Sequence, residues 1–458
     1  MFLVKKEWLL ITLLLLFKKE TIITPSYVMV LCQAYKYSAL FLCKKLGHIG
    51  KSYSFKRLVN TVVSTTQSKS LSPPHLTSAV EKHFSRMCSA KVPCRVGELV
   101  TEIETPALVV CLEKLEENLK IMTEAMKAYP GVKFRPHAKS HKCPTLGRLQ
   151  IKSGAVGLCC QKVTEAEAMV LGGVEDILLS NQVIQKTKLL RLAALARSAK
   201  ISVCVDSEKN IADISQAAVE MGVNLDIVVE VNVGGNRCGV EPGEEVVKLA
   251  RTILDLPNVN FKGIHCYNGQ NQHIRSAEDR KTAVDAVIVK TKAALSALKE
   301  SGIDCNYVTG GGTGTFHYEA GSGVFTEVQP GSYVFMDVDY GKNLDINGKF
   351  VSEFRQSLYV LSTVQSSFSN RAVLDCGMKA VSLDSGVPTL REAGDLTYIS
   401  GGDEHGVIVP PGNLKVGDQV WLVPGHCDPT VNMHDWIVGL RDGKVESIWP
   451  VSGRGPGY

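Results

Sequence analysis

From residue 105 onward, short apolar runs alternate with longer stretches in which apolar residues recur at helical spacing. The runs are Ala107–Cys111, Val132–Phe134, Ala155–Cys159, Ile177–Leu179, Ile201–Val205, Leu225–Val231, Gly263–Cys266 and Tyr307–Thr309. Between them, Leu112–Ala128, Lys186–Ala199, Glu208–Met221, Gly243–Leu254 and Asp279–Ser301 carry the helical repeat. Short buried strands that alternate with helices predict a parallel α/β architecture. About eight such units over roughly 240 residues fit a closed (β/α)8 barrel better than an open sheet.

After Tyr340 the helical repeat stops. Ser357–Val364, Ala372–Leu374, Val407–Val409, Gln419–Val423 and Trp436–Arg441 read as strands. Gly412-Asn413, Gly417-Asp418 and Asp442-Gly443 supply turns between them. The predicted organisation is therefore a leader over 1–90, a barrel over 91–345 and an antiparallel β domain over 346–458.

The leader differs from the rest in composition. Trp8–Phe17 is apolar and flanked by Lys5, Lys6, Lys18 and Lys19. At about ten residues it is too short to span a bilayer, so no stable membrane anchor is expected. Residues 50–80 are rich in Ser, Thr and Lys and lack acids, a composition that suits an organelle transit peptide (mitochondrion or plastid). The alternatives are cytoplasmic use of a later start, for which Met87 is placed, and a secretory signal without a clear cleavage site.

Charge sharpens this division. The whole chain carries +5, but residues 1–80 hold eleven Lys or Arg against Glu7 and Glu20, which leaves the remainder at about −4. A body of that charge, without a basic cluster, argues against nucleic acid as a partner. The fourteen cysteines are scattered with no CxxC pair, which excludes a disulfide framework and a zinc ribbon.

Candidate chemistry begins at residues 133–144, KFRPHAKSHKCP. Pro136 holds Arg135 extended, so the following residues fall at the carboxyl end of a barrel strand, where barrel sites assemble. On an extended segment His137, Lys139 and His141 point to one side. Clustered cationic groups lower a lysine pKa and suit it to Schiff-base formation. The competing reading is a solvated basic loop. At 309–314, TGGGTG lets backbone amides approach an anion, or forms a tight structural turn. It lacks the spacing of a nucleotide-triphosphate loop. Gln329-Pro330-Gly331-Ser332-Tyr333 offers a second wall for the same anion.

Taken together, RPHAK (135–139), GLCCQKVTEAEAM (157–169), NRCGV (236–240), TGGGTGT (309–315) and QPGSYVF (329–335) resemble the D-threonine aldolase and D-serine dehydratase family. That family belongs with the alanine-racemase-like, fold-type III pyridoxal-phosphate enzymes. The likeness runs from about residue 95 to the end, with the motifs in the family's order. It implies pyridoxal 5'-phosphate on Lys139, a phosphate cradle from Thr309, Gly311, Gly312, Gly331 and Ser332, and a cofactor ring lined by Gln161, Arg237 and Tyr267. It also implies a small-molecule D-amino acid as substrate and, by analogy with related folds, a homodimer.

Residues 424–430, PGHCDPT, follow a strand-like run. On an extended chain His426 and Asp428 project together, and an imidazole and a carboxylate can share a divalent ion. The competing reading is a turn in which Asp428 caps its own backbone before Pro429. In the family this is the metal site: dehydratases of animals carry His-x-Cys there and D-threonine aldolases His-x-Asp. The harder carboxylate admits manganese, magnesium or cobalt as well as zinc. The resemblance therefore implies a D-threonine aldolase-like lyase, with D-serine dehydratase and a non-catalytic pyridoxal-phosphate carrier as alternatives. A metal-bound hydroxide, or a histidine such as His137 or His265, is the candidate proton acceptor.

Overall fold

The computed structural model describes residues 92–391 and 394–458. The leader and Met87 lie outside them. Among the described residues no helix is long and apolar enough to cross a membrane.

The first strand, β1 (Ala107–Cys111), leads into the helix Leu112–Met126. Eight parallel strands follow: β2 (Lys133–Phe134), β3 (Leu158–Cys160), β4 (Asp176–Leu179), β5 (Lys200–Val205), β6 (Leu225–Glu230), β7 (Val259–Cys266), β8 (Val308–Gly310) and β9 (Glu327–Val328). Their order is β2-β9-β8-β7-β6-β5-β4-β3. The ring closes between β2 and β3, where Val156 N–H donates to the Phe134 carbonyl at 3.1 Å and Cys159 N–H to the Pro136 carbonyl at 2.8 Å.

Alternation along the strands divides the core. Leu158, Ile177, Leu179, Ile201, Val203, Ile227 and Val229 pack outward against the helices. Cys159, Leu178, Cys204 and Val228, one position along, form a separate layer inside the barrel. The inside is otherwise polar. Arg135, 3 % exposed, donates from Nε to Glu327 at 3.0 Å and from Nη1 to Asp176 at 2.7 Å. The Tyr307 and Thr309 hydroxyls donate to the same Glu327 at 2.6 and 2.9 Å. Gly157 makes room for this group: a Cβ there would lie 2.3 Å from Arg135 Nη1.

The second sheet holds β1 together with β10 (Leu358–Ser367), β11 (Ala372–Leu374), β12 (Thr389–Leu390), β13 (Thr397–Ser400), β14 (Gly406–Val409), β15 (Gln419–Val423), β16 (Trp436–Arg441) and β17 (Lys444–Pro450). Two expectations change here. The run Ala107–Cys111 is not a barrel strand: it pairs antiparallel with β10 and parallel with β16. The eighth barrel strand is β9, a short segment before Gln329 whose Glu327 keeps it from reading as an apolar run. The part after Tyr340 is also not purely β, because Cys427–Met433 forms a helix.

Candidate active site

Lys139 sits on a tight turn at the barrel's carboxyl end. The 3-10 turn Ala138–Ser140 follows Pro136, and His137 caps it by accepting the Lys139 N–H on Nδ1 at 3.3 Å. The turn corrects the extended reading. His137 and Lys139 line one cavity of about 290 Å3, whereas His141 turns away. His141 is buried against Gln150, 3.1 Å from Nε2, and takes the Cys143 N–H on Nδ1.

His137 is held from both sides. Its Nε2 lies 3.2 Å from Gln161 Oε1 and 3.1 Å from Ser180 Oγ. Burial, with the Lys139 charge beside it, pushes its pKa down to about 3. With both nitrogens engaged, the ring braces the lysine turn while lining the cavity beside it.

Across the cavity stand His426 and Asp428. The chain changes from extended at His426 to helical at Cys427, and this change, not strand alternation, brings both side chains to the cavity. Cys427 is buried. Asp337 fixes the geometry: its carboxylate accepts the Tyr340 N–H at 2.8 Å and the Cys427 N–H at 2.9 Å, tying the end of the barrel segment to this helix. His426 Nε2 lies 4.0 Å from Asp428 Oδ1, and its Nδ1 lies 3.0 Å from the Asp384 carboxylate. That arrangement aims Nε2 at the cavity, as carboxylates do behind metal-binding imidazoles.

Lys139 Nζ lies 3.1 Å from Asp428 Oδ2. The Asp428 carboxylate raises the Lys139 pKa, against the depression expected from neighbouring imidazoles. Burial acts to raise Asp428, but Lys139 and His426 outweigh it and hold the carboxyl at about 2. His426 is shifted upward: burial opposes its charge, and Asp428 and Asp384 together prevail.

The remaining wall is built from the two glycine segments and β7. Gly312, Gly331 and Ser332 line the cavity, joined by Thr313. A Cβ at Gly312 would meet Gln272 Oε1 at 2.6 Å, and one at Gly331 would meet His137 Cβ at 3.2 Å. Gly312 and Gly331 thus leave backbone exposed in this wall, beside the small side chains of Thr313 and Ser332, a lining whose chemistry fits a phosphate. Thr309 and Gly311 are placed otherwise than expected. The Thr309 hydroxyl points into the barrel toward Glu327, and Gly311, at φ +71°, backs onto Glu319. Gln161, Arg237 and Tyr267 line the cavity, as do Ser180, His265, His273, Gln329 and Tyr340. His265 Nε2 is 3.2 Å from Gln329 Oε1, and Gln329 Nε2 donates to Thr309 at 2.9 Å, so the cavity floor connects to the Arg135–Glu327 group. Asp337, Asp384 and Ser180 carry no spacing signal in the sequence that would have singled them out. A buried trio, Cys204, Glu230 and His265, places three donor atoms within 4.8 Å of one another inside the barrel, and its His265 also lines the cavity.

A parallel barrel with a lysine at its carboxyl end, two glycine segments in the cavity wall and an attached β sheet defines the class of alanine-racemase-like pyridoxal-phosphate enzymes. Comparison with known proteins agrees. The family profile "Alanine racemase, N-terminal domain" matches residues 110–339, and "Putative serine dehydratase domain" matches 357–440. The 3-hydroxy-D-aspartate aldolase of Paracoccus denitrificans is 47% identical over 373 residues, covering 80% of this chain and 96% of the relative. The D-threonine aldolase of an Arthrobacter species is 45% identical, covering 79% and 96%. The crystal structure of D-threonine aldolase from Filomicrobium marinum superposes with a TM-score of 0.77 at 41% identity, over 80% of this chain and 99% of that one. The chain belongs to the D-threonine aldolase and 3-hydroxy-D-aspartate aldolase family.

Proposed function

We propose that this protein is a pyridoxal-phosphate-dependent lyase that cleaves the Cα–Cβ bond of D-β-hydroxy amino acids, giving glycine and an aldehyde, with a divalent ion at His426 and Asp428. The observation that carries the reading is the 3.1 Å approach of Lys139 Nζ to Asp428. It puts the cofactor-holding amine beside an imidazole–carboxylate pair suited to a β-hydroxyl.

The bound cofactor supplies the electron sink for carbon–carbon cleavage, and an ion on the pair supplies a Lewis acid for the hydroxyl. The chain's own residues do the rest. Asp428 already holds one cation, the Lys139 ammonium, and its second oxygen faces His426. Asp384 keeps His426 Nε2 turned to the cavity. Gly312, Thr313, Gly331 and Ser332 receive the phosphate, and Tyr267 and Gln161 flank the space for the ring. Arg237 and His273 stand at the cavity mouth. The Arg237 cation favours a substrate with a second carboxylate, such as 3-hydroxy-D-aspartate, over D-threonine, whereas His273 is already paired with Asp339.

Dehydration of the same substrates is the second reading, since an acidified hydroxyl is also a leaving group. Carboxylate rather than thiolate at position 428 supports cleavage, as do the aldolase names of the relatives at 43–47% identity. The D-threo-3-hydroxyaspartate dehydratase of a Delftia species stands at 27%. Incubation with D-threonine, 3-hydroxy-D-aspartate and D-serine, with and without chelator, separates the two. Glycine plus aldehyde supports the proposal; a 2-oxo acid and ammonia as main products overturns it.

A further inference from the structure

Glu319 lies on the short helix Phe316–Ala320, directly behind the glycine loop. It is 4 % exposed. Its Oε1 accepts the Thr315 hydroxyl at 2.9 Å, whereas Oε2 has no hydrogen-bond partner. Its carboxyl carbon lies 2.9 Å from the place a Cβ on Gly311 would take, so the carboxyl is pressed against loop backbone.

The contact belongs to a short hydrogen-bond chain. Thr315 Oγ1 accepts from Gln272 Nε2 at 2.8 Å and from the Gly312 N–H at 3.4 Å. Gln272 Oε1 accepts the Gly314 N–H at 2.9 Å. Glu319, Thr315 and Gln272 thus hold two amides of the loop from behind. No basic side chain among the described residues pairs with Glu319. The titratable groups around it are Tyr267, across the wall, and His317 on the same helix, whose ring is engaged by Tyr129 and Glu353.

A buried carboxyl with one unpartnered oxygen and no cation is stable as the neutral acid. Burial indeed lifts its pKa to about 7. A phosphate dianion on the other face of the loop adds a like charge at close range, which disfavours the ionised form further.

We infer that Glu319 is a positioning residue that must hold its proton while the loop holds the cofactor's phosphate, so that phosphate binding is coupled to proton uptake at Glu319. The inference rests on the proposed phosphate role of the loop. Because the coupling acts through the phosphate alone, it is absent for pyridoxal.

The test uses holoenzyme resolved of its cofactor and titrated with pyridoxal phosphate and, separately, pyridoxal. The ratio of the two affinities isolates the phosphate contribution and is followed by absorbance from about pH 6.5 to about pH 8.5, a range above the phosphate's own second ionisation near 6. The ratio is expected to fall about 25-fold across that range in the wild type, as linkage to a group titrating near 7 requires. It is expected to stay flat and high in Glu319→Gln, which keeps the shape and cannot ionise. Thr315→Val, which cuts the chain to Gln272, should lower the ratio at every pH and keep the pH slope. A wild-type ratio that is high but independent of pH, matching Glu319→Gln, overturns the inference and leaves the loop reading intact. A wild type that binds the two ligands equally at all pH values overturns the loop reading and this inference with it.

Discussion

Replacing Asp384 with Asn tests how the cavity prepares the proposed metal pair, His426 and Asp428. Asp384 Oδ2 lies 3.0 Å from His426 Nδ1, while Ser382 and Ser385 hydroxyls donate to the same carboxylate at 2.7 and 3.0 Å. These bonds fix which His426 nitrogen faces the cavity and raise the imidazole's basicity. Asn keeps the size and loses the charge. Removing such a partner lowers metal affinity about 10- to 100-fold. The Asp384 side chain is 49% exposed, so solvent screens part of its effect, and the lower end applies. The expected loss is about tenfold, or about 1.4 kcal/mol. Protein stripped with a chelator and titrated with manganese or zinc in a calorimeter supplies the measurement. Asp403→Asn, at an exposed acid 3.8 Å from Lys379, serves as a control with unchanged affinity. Affinity for Asp384→Asn within about twofold of wild type would refute the claim that this carboxylate sets the His426 geometry.

Two further outcomes concern the scaffold. Arg135→Met leaves Glu327 and Asp176 without their buried cation and should cost about 3–5 kcal/mol in urea unfolding; a loss below about 1 kcal/mol contradicts the role given to that group. Glu319 binds its proton more tightly folded, at about 7, than unfolded, near 4.5, so its contribution opposes folding increasingly as pH rises through that window. Cofactor-free Glu319→Gln should therefore gain up to about 3 kcal/mol on the wild type between about pH 5 and about pH 8, and a constant difference across that range counts against the burial argument.

Much of the barrel was legible because its strands are short apolar runs between amphipathic helices, and β3 to β8 fall where the pattern placed them. The error at β1 has a physical source. A buried strand carries the same apolar signature whichever sheet it joins, and β1 is sandwiched in the second sheet between β10 and β16. β9 reads as a short strand before Gln329 but does not count among the barrel runs, because Glu327, which faces inward to Arg135, breaks its apolar run. At the site, the motifs singled out Lys139, His426 and Asp428, which share one cavity, yet the local geometry assumed for them was wrong in both places. A 3-10 turn and a helix start replaced two extended segments, which is why His141 left the cavity. Asp337 and Asp384 were invisible for a different reason. They act through contacts 90 and 42 residues away in the chain, on Cys427 and His426, and no local pattern records such contacts.

The central claim is that Lys139 holds the cofactor beside the His426–Asp428 pair. Borohydride reduction of the holoenzyme, followed by proteolysis and mass spectrometry, locates the lysine that bears the cofactor. The pyridoxyl group is expected on the peptide containing Lys139, and the visible cofactor absorbance is expected to vanish in Lys139→Ala. A modified lysine elsewhere, or a Lys139→Ala protein that keeps that absorbance, contradicts the account.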